Sequence, residues 1–241
     1  MADSTLLIVS GIFLLAGLVK GMVGLGLPTI AMGLLCLVMQ PIEAAAFVVI
    51  PNALTNIWQM IAGPAFAALA RRLALLLIAV AVGTFASIGL LTSGRGSIAT
   101  VLLGLVLMTY AVHGLISTQV QVDPKYERLA SPIAGAISGL LNGATGVFVV
   151  PTTPYLASLR MSKDELMQCV GMFAFTAGIA LGAALWLSGR YSVTDMSWLG
   201  LVPAVAGMYL GLRIRNRLNP ELFRRCFLVG LLLLGGYMLL R

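Results

Sequence analysis

Lys20 lies inside an otherwise apolar run, residues 6–39, and is followed by Gly21-Met22-Val23-Gly24-Leu25-Gly26-Leu27-Pro28. A second apolar run, residues 132–159, contains Ser138-Gly139-Leu140-Leu141-Asn142-Gly143-Ala144-Thr145-Gly146. Glycine disfavours helix by about 1 kcal/mol per residue relative to alanine, so each run reads as helix, glycine-rich turn, helix. Pro28 suits the first position of the resumed helix, where a missing N–H leaves nothing unpaired. A helix beginning at such a turn presents free N–H groups and the positive end of its dipole. Glycine lets a ligand approach that backbone closely. With Lys20 alongside, this is chemistry for holding an anion.

Neutral polar groups follow each turn. Asn52, Thr55, Asn56 and Gln59 recur at spacings of three and four and share one helical face. Gln168 and Thr176 stand in the corresponding later helix, and Thr152 and Thr153 follow the second turn. Amides and hydroxyls can donate hydrogen bonds to sulfonate or carboxylate oxygens, and the same groups also serve as bonds between membrane helices. The candidate substrate-binding set is therefore Lys20, Gly21, Gly24, Gly26, Asn52, Thr55, Asn56, Gln59, Asn142, Gly143, Thr145, Gly146, Thr152, Gln168 and Thr176. No catalytic residue, metal ligand or cofactor is expected. Cys36, Cys169 and Cys226 stand singly without a neighbouring histidine, His113 falls near a helix end, and no nucleotide-binding or protease motif is present. Asp3, Glu43, Asp123, Glu127, Asp164, Glu165, Asp195 and Glu221 all fall at run ends or in loops. An interior without carboxylates is neutral or positive, which points to an anion and away from a cation.

These residues need long apolar elements to hold them. Of 241 residues, 60% are hydrophobic and 10% charged, against about 45–50% and about 25% in soluble domains. Mean hydropathy is +1.03. Disorder, nucleic-acid binding and a disulfide-stapled secreted fold are excluded on those figures. The N-terminus lacks a basic segment, so a cleaved signal peptide is not expected. The fold class is an all-α polytopic membrane protein, with apolar runs at 6–39, 43–62, 73–92, 98–117, 132–159, 166–187, 198–212 and 227–240. A polar stretch at 119–128 separates four runs from four.

The two halves resemble each other. Gly17 and Gly21 match Gly135 and Gly139 at a shift of 118, Thr55 matches Thr176 at 121, and Glu43 and Glu165 open the helices after each hairpin. An internal duplication is expected, with repeats at 1–118 and 131–241 joined by a linker at 119–130. If each broken run is a hairpin returning to its starting side, one face collects Arg71, Arg72, Lys125, Arg128, Arg160, Lys163, Arg213, Arg215, Arg217, Arg224 and Arg225. The other face keeps Arg95, Arg190 and Arg241. Positive residues gather on the cytoplasmic side, so the hairpin arrangement is favoured, with a cytoplasmic linker and periplasmic termini. Each half is then one broken hairpin plus three transmembrane helices, and the halves form an inverted-topology repeat. In such repeats broken segments build a substrate site near the midplane.

On Gly17-xxx-Lys20-Gly21-Met22-Val23-Gly24-Leu25-Gly26-Leu27-Pro28 and Gly135-xxx-Gly139-Leu140-Leu141-Asn142-Gly143-Ala144-Thr145-Gly146, with Pro151 downstream, the chain resembles the sulfite exporter TauE/SafE family. The resemblance implies transport of sulfite, sulfoacetate or related organosulfonates across the bacterial inner membrane. The expected partners are a small anionic substrate and the lipid bilayer, with no nucleic acid and with a homodimer left open. An anion channel of the same fold and a non-transporting membrane scaffold are the alternatives.

Overall fold

The computed structural model describes residues 2–63, 65–94, 96–116, 122–189, 198–215 and 220–240. They form α1 (Ala2–Val23), α2 (Leu27–Leu35), α3 (Pro41–Ile61), α4 (Phe66–Arg72), α5 (Ala74–Thr92), α6 (Gly96–Ile116), α7 (Pro124–Thr145), α8 (Thr152–Ser158), α9 (Lys163–Leu187), α10 (Leu201–Ile214) and α11 (Pro220–Leu240). No strand occurs among the described residues. Six helices are long and apolar enough to cross a bilayer, namely α1, α3, α5, α6, α9 and α11, consistent with the roughly 20 residues that a crossing requires. The all-α membrane class expected from composition is the class observed.

The helices fall into two compact units, and neither coincides with a half of the sequence. One unit comprises α1, α2, α6, α10, α11 and α3 as far as Pro51. The other comprises α3 from Asn52, with α4, α5, α7, α8 and α9.

In the first unit α1 lies along α10. A Cβ added to Gly17 or Gly21 would fall on the carbonyl oxygen of Ala204 or Met208, and one on Gly207 or Gly211 on that of Leu14 or Leu18. Any side chain at these four positions would push the helices apart. In lipid, where apolar surface gains nothing by leaving solvent, such close backbone approach is what holds helices together. α6 meets α11 similarly through Gly104 and Gly235, each lying against the other's carbonyl.

The second unit repeats this packing with different partners. Gly135, Gly139 and Gly143 of α7 face the carbonyl oxygens of Leu76, Val80 and Thr84 on α5. In both units, then, the opening helix of one half is packed on a helix of the other half. α9 packs on α4, α5, α7 and α8.

The first hairpin breaks where the sequence places it. α1 ends at Val23, Gly24 and Gly26 take positive φ of 84° and 108°, and α2 resumes with Pro28 in its first turn. The second break differs from expectation. α7 continues through Ser138, Gly139, Asn142, Gly143 and Thr145, and ends only at Gly146, with φ 74°. Residues 147–149 are without regular structure, and a turn at 150–151 leads into α8. Gly139 and Gly143 are therefore packing glycines inside a helix and do not form a turn. Their contact with the α5 backbone offsets their weak helix propensity.

The second hairpin does return to its start. The Val122 amide donates to the Ser158 carbonyl at 3.1 Å, and Tyr155 and Ser131 hydroxyls meet at 2.6 Å. At the same end Arg72 donates two bonds to Glu127, at 2.6 and 2.8 Å. The helices after the hairpins are capped alike. Glu43 accepts from the Gln40 amide at 3.2 Å, and Glu165 from the Ser162 amide at 2.8 Å, each reaching back across the first turn as in a capping box.

Candidate functional site

At the first break, Lys20 occupies the last turn of α1 and is 4% exposed. It is the only charged side chain buried to this degree among the described residues. Its carbonyl accepts from the Gly24 amide at 2.7 Å, which closes α1 as the chain turns. Gly26 begins α2 in a left-handed conformation that only glycine adopts readily. It offers no side-chain cap, and α2 has no acid in its first turn. The first-turn N–H groups of a helix lack intrahelical acceptors and form the positive end of its dipole. In the same turn Thr29 is fully buried, and its hydroxyl has no partner. The ring of Phe227 and the side chain of Val19 stand against Gly26, 3.4 and 3.5 Å from where a Cβ would be. An apolar wall thus flanks a positive, donor-rich turn.

At the second break Thr152 and Thr145 are engaged within the protein, while the buried Thr153 hydroxyl, like that of Thr29, has no partner. The Thr152 hydroxyl donates to the Ala134 carbonyl at 3.0 Å, and the Thr152 amide donates to Ser138 Oγ at 3.1 Å. Thr145 Oγ1 donates to the Leu141 carbonyl at 2.7 Å and accepts from the Val147 amide at 3.2 Å. Asn142 is fully buried one turn before Gly146. Its Nδ2 donates to the Ala177 carbonyl at 2.9 Å and to Thr84 Oγ1 at 3.1 Å, while its Oδ1 has no partner.

The polar face of α3 is turned onto α9. Asn52 Nδ2 donates to the Ala174 carbonyl at 3.1 Å, and Asn52 Oδ1 accepts from Asn56 Nδ2 at 2.8 Å. Asn56 also donates to the Asn52 carbonyl at 2.7 Å, and Thr55 to the same carbonyl at 3.3 Å. Gln59 Nε2 donates to the Met167 carbonyl at 3.0 Å. Gln168 closes the end of α3, donating to the carbonyls of Met60 and Gly63 at 2.9 and 3.0 Å and accepting from the Ala65 amide at 3.2 Å. Thr176 is half-buried on α9.

A cavity of about 640 Å³ opens elsewhere in the first unit, where Cys36, Gln40, Glu43, Ser97, Thr100 and Met238 bring together the end of α2 and the starts of α3 and α6. No group of three potential metal ligands occurs among the described residues.

A family model described as Sulfite exporter TauE/SafE matches residues 9–238, nearly the whole chain. The chain belongs to the TauE/SafE family. No curated protein and no solved structure matches it. TauE/SafE membership identifies a membrane transport protein of the sulfite and anion exporter type, and the apolar helices agree with it.

Of the residues the sequence nominates, the structure gathers Lys20, Gly21, Gly24 and Gly26 at the first break of this TauE/SafE chain. Asn142, Gly143, Thr145, Gly146 and Thr152 cluster around the second. Asn52, Gln59 and Gln168 have amide hydrogens engaged in helix-to-helix or helix-capping bonds, and Asn56 donates to Asn52 within α3. Thr29, whose buried hydroxyl stands at the first break, is not among the nominated residues. Its signal was available, because Leu27-Pro28-Thr29 repeats as Val150-Pro151-Thr152. Asn142 was assigned to anion binding, yet the atom left open on it is an acceptor.

Proposed function

We propose that this TauE/SafE protein moves sulfite, sulfoacetate or a related organosulfonate across the bacterial inner membrane and holds the anion at the first break. The observation that carries the reading is the start of α2, with Lys20 buried before it, no cap upon it and the Thr29 hydroxyl without a partner. Burying an ammonium group costs several kcal/mol. In this reading an anion at the turn offsets part of that cost. The Thr29 hydroxyl and the α2 amides donate to the anion's oxygens.

The second hairpin supports this assignment by contrast. At a shift of 118, Ser138 takes the place of Lys20, and there it accepts from the Thr152 amide and closes the turn. In the first hairpin a longer, basic side chain, Lys20, stands at that position. The duplicated glycine packing and the paired Glu43 and Glu165 caps favour an inverted repeat, one in which the lysine-bearing hairpin has kept the anion chemistry.

Flux measurements in proteoliposomes test the reading. Sulfite or sulfoacetate uptake is expected to saturate and to show counterflow, and Lys20→Ala is expected to reduce it at least tenfold. Undiminished flux in that variant would overturn the assignment of the anion to the first break.

A further inference from the structure

The amide of Asn142 is fixed in one orientation by its surroundings. Its two hydrogens go to the Ala177 carbonyl on α9 and to Thr84 Oγ1 on α5. Thr84 cannot return a proton, because its hydroxyl donates to the Val80 carbonyl at 2.8 Å. Flipping the amide would set Oδ1 against the Ala177 carbonyl, oxygen against oxygen. The open atom is therefore a buried carbonyl oxygen, and an unpaired acceptor in such a place costs about 1–3 kcal/mol.

The hydroxyls of Ser87 on α5 and Thr145 on α7 are committed elsewhere. Ser87 donates to the Gly83 and Leu140 carbonyls, and Thr145 to the Leu141 carbonyl. The backbone adds further acceptors at this level. The Val147 amide turns to Thr145 Oγ1, so it does not serve the Gly143 carbonyl four residues back as a continuing helix would. The last-turn carbonyls of a helix carry the negative end of its dipole.

We infer that Asn142 Oδ1 and the carbonyl end of α7 bind a desolvated monovalent alkali cation. The polarity is the reverse of that at Lys20, and it rejects an anion. The buried polar side chains of this unit are amides and hydroxyls without a carboxylate, which argues against a divalent ion, since calcium and magnesium draw on carboxylate ligands. A neutral amide does not titrate, so the species is not a proton. Carbonyl oxygens at the broken end of a membrane helix are the ligand type that coupling cations use. Coupling of this cation to anion movement rests on the transport reading above, but the cation site itself does not.

Thermal unfolding of the purified full-length chain in sodium, potassium, lithium and choline chlorides tests the site, with ionic strength, pH and chloride held constant. One alkali cation is expected to raise the melting temperature saturably above the choline value, as a ligand specific to the folded state must. Asn142→Asp is expected to tighten the apparent affinity for that cation severalfold, and Asn142→Ala to weaken it at least tenfold. Equal melting in all four salts would overturn the proposal, as would an affinity unchanged in Asn142→Asp. The salt series needs no variant, so misfolding of Asn142→Ala leaves it decisive. Cation stabilisation without anion flux would retain the site and count against the transport reading alone.

Discussion

Thr29 and Thr152 follow matching prolines and differ by one hydrogen bond. The Thr152 hydroxyl donates to the Ala134 carbonyl, whereas the Thr29 hydroxyl, also fully buried, reaches no protein acceptor. Valine keeps the shape of threonine and removes the hydroxyl, so the same substitution has opposite consequences at the two places. Thr29→Val is expected to leave stability unchanged or raise it by about 1 kcal/mol, because a buried unpaired hydroxyl is lost. Thr152→Val is expected to lower stability by about 1 kcal/mol, the net worth of an ordinary hydrogen bond. Chemical denaturation of both variants measures this. If the hydroxyl of Thr29 binds the anion, Thr29→Val also weakens transport while Thr152→Val affects it only through stability. Equal destabilisation by the two substitutions would remove the distinction between the breaks.

Glycine has two uses in these helices, and the sequence separates them poorly. Gly24 and Gly26 are turn glycines with positive φ, followed by a proline that restarts the helix. Their position was legible because the proline and a lysine frame them. Gly135, Gly139 and Gly143 recur every four residues and so line one face of a helix. Reading Gly139 and Gly143 as breakers places the second turn too early. Read as contact residues, like Gly207 and Gly211, they would have kept α7 intact as far as Gly146. Hydropathy marks where apolar helices run, but it carries no record of which helix supplies the carbonyls that a glycine face needs. For that reason the pairings of α1 with α10 and α7 with α5 could not be read from the chain. The same contacts yield a test. A Cβ at Gly139 would lie 2.9 Å from the Val80 carbonyl carbon and Cα, backbone that cannot rotate away, whereas one at Gly230 meets nothing within 4 Å. Gly139→Ala is expected to destabilise by about 1–3 kcal/mol through overpacking. Gly230→Ala in α11 is expected to be neutral or to stabilise by up to about 1 kcal/mol through helix propensity. Melting of the two variants side by side measures the difference. A loss at Gly230 as large as at Gly139 would show that backbone approach does not set the cost.

At the scale of the molecule, the proposed orientation rests on the few charges. Arg72 bonds Glu127 at the end where α7 begins, and the Val122 amide bonds the Ser158 carbonyl there, so the second hairpin starts and finishes at one level. A hairpin that returns adds an even number of passages, and the sorting of basic residues then gives eleven on one face against three on the other. A single crossing by each broken run would divide them almost evenly, which the positive-inside tendency disfavours. In the proposed inverted repeat, three remaining helices per half reverse the side on which the next half begins, which puts both chain ends on the face poorer in arginine. The consequence is testable without any transport assay. A reporter active only in the cytoplasm is expected to be silent when fused after Arg241 and active when inserted at Asp123, which is exposed just ahead of α7. A reporter active only in the periplasm should give the reciprocal pattern. Cytoplasmic activity at both sites would mean that one half contains an odd extra crossing. The halves would then be parallel, the inverted repeat would fail, and Lys20 would need another route to either face.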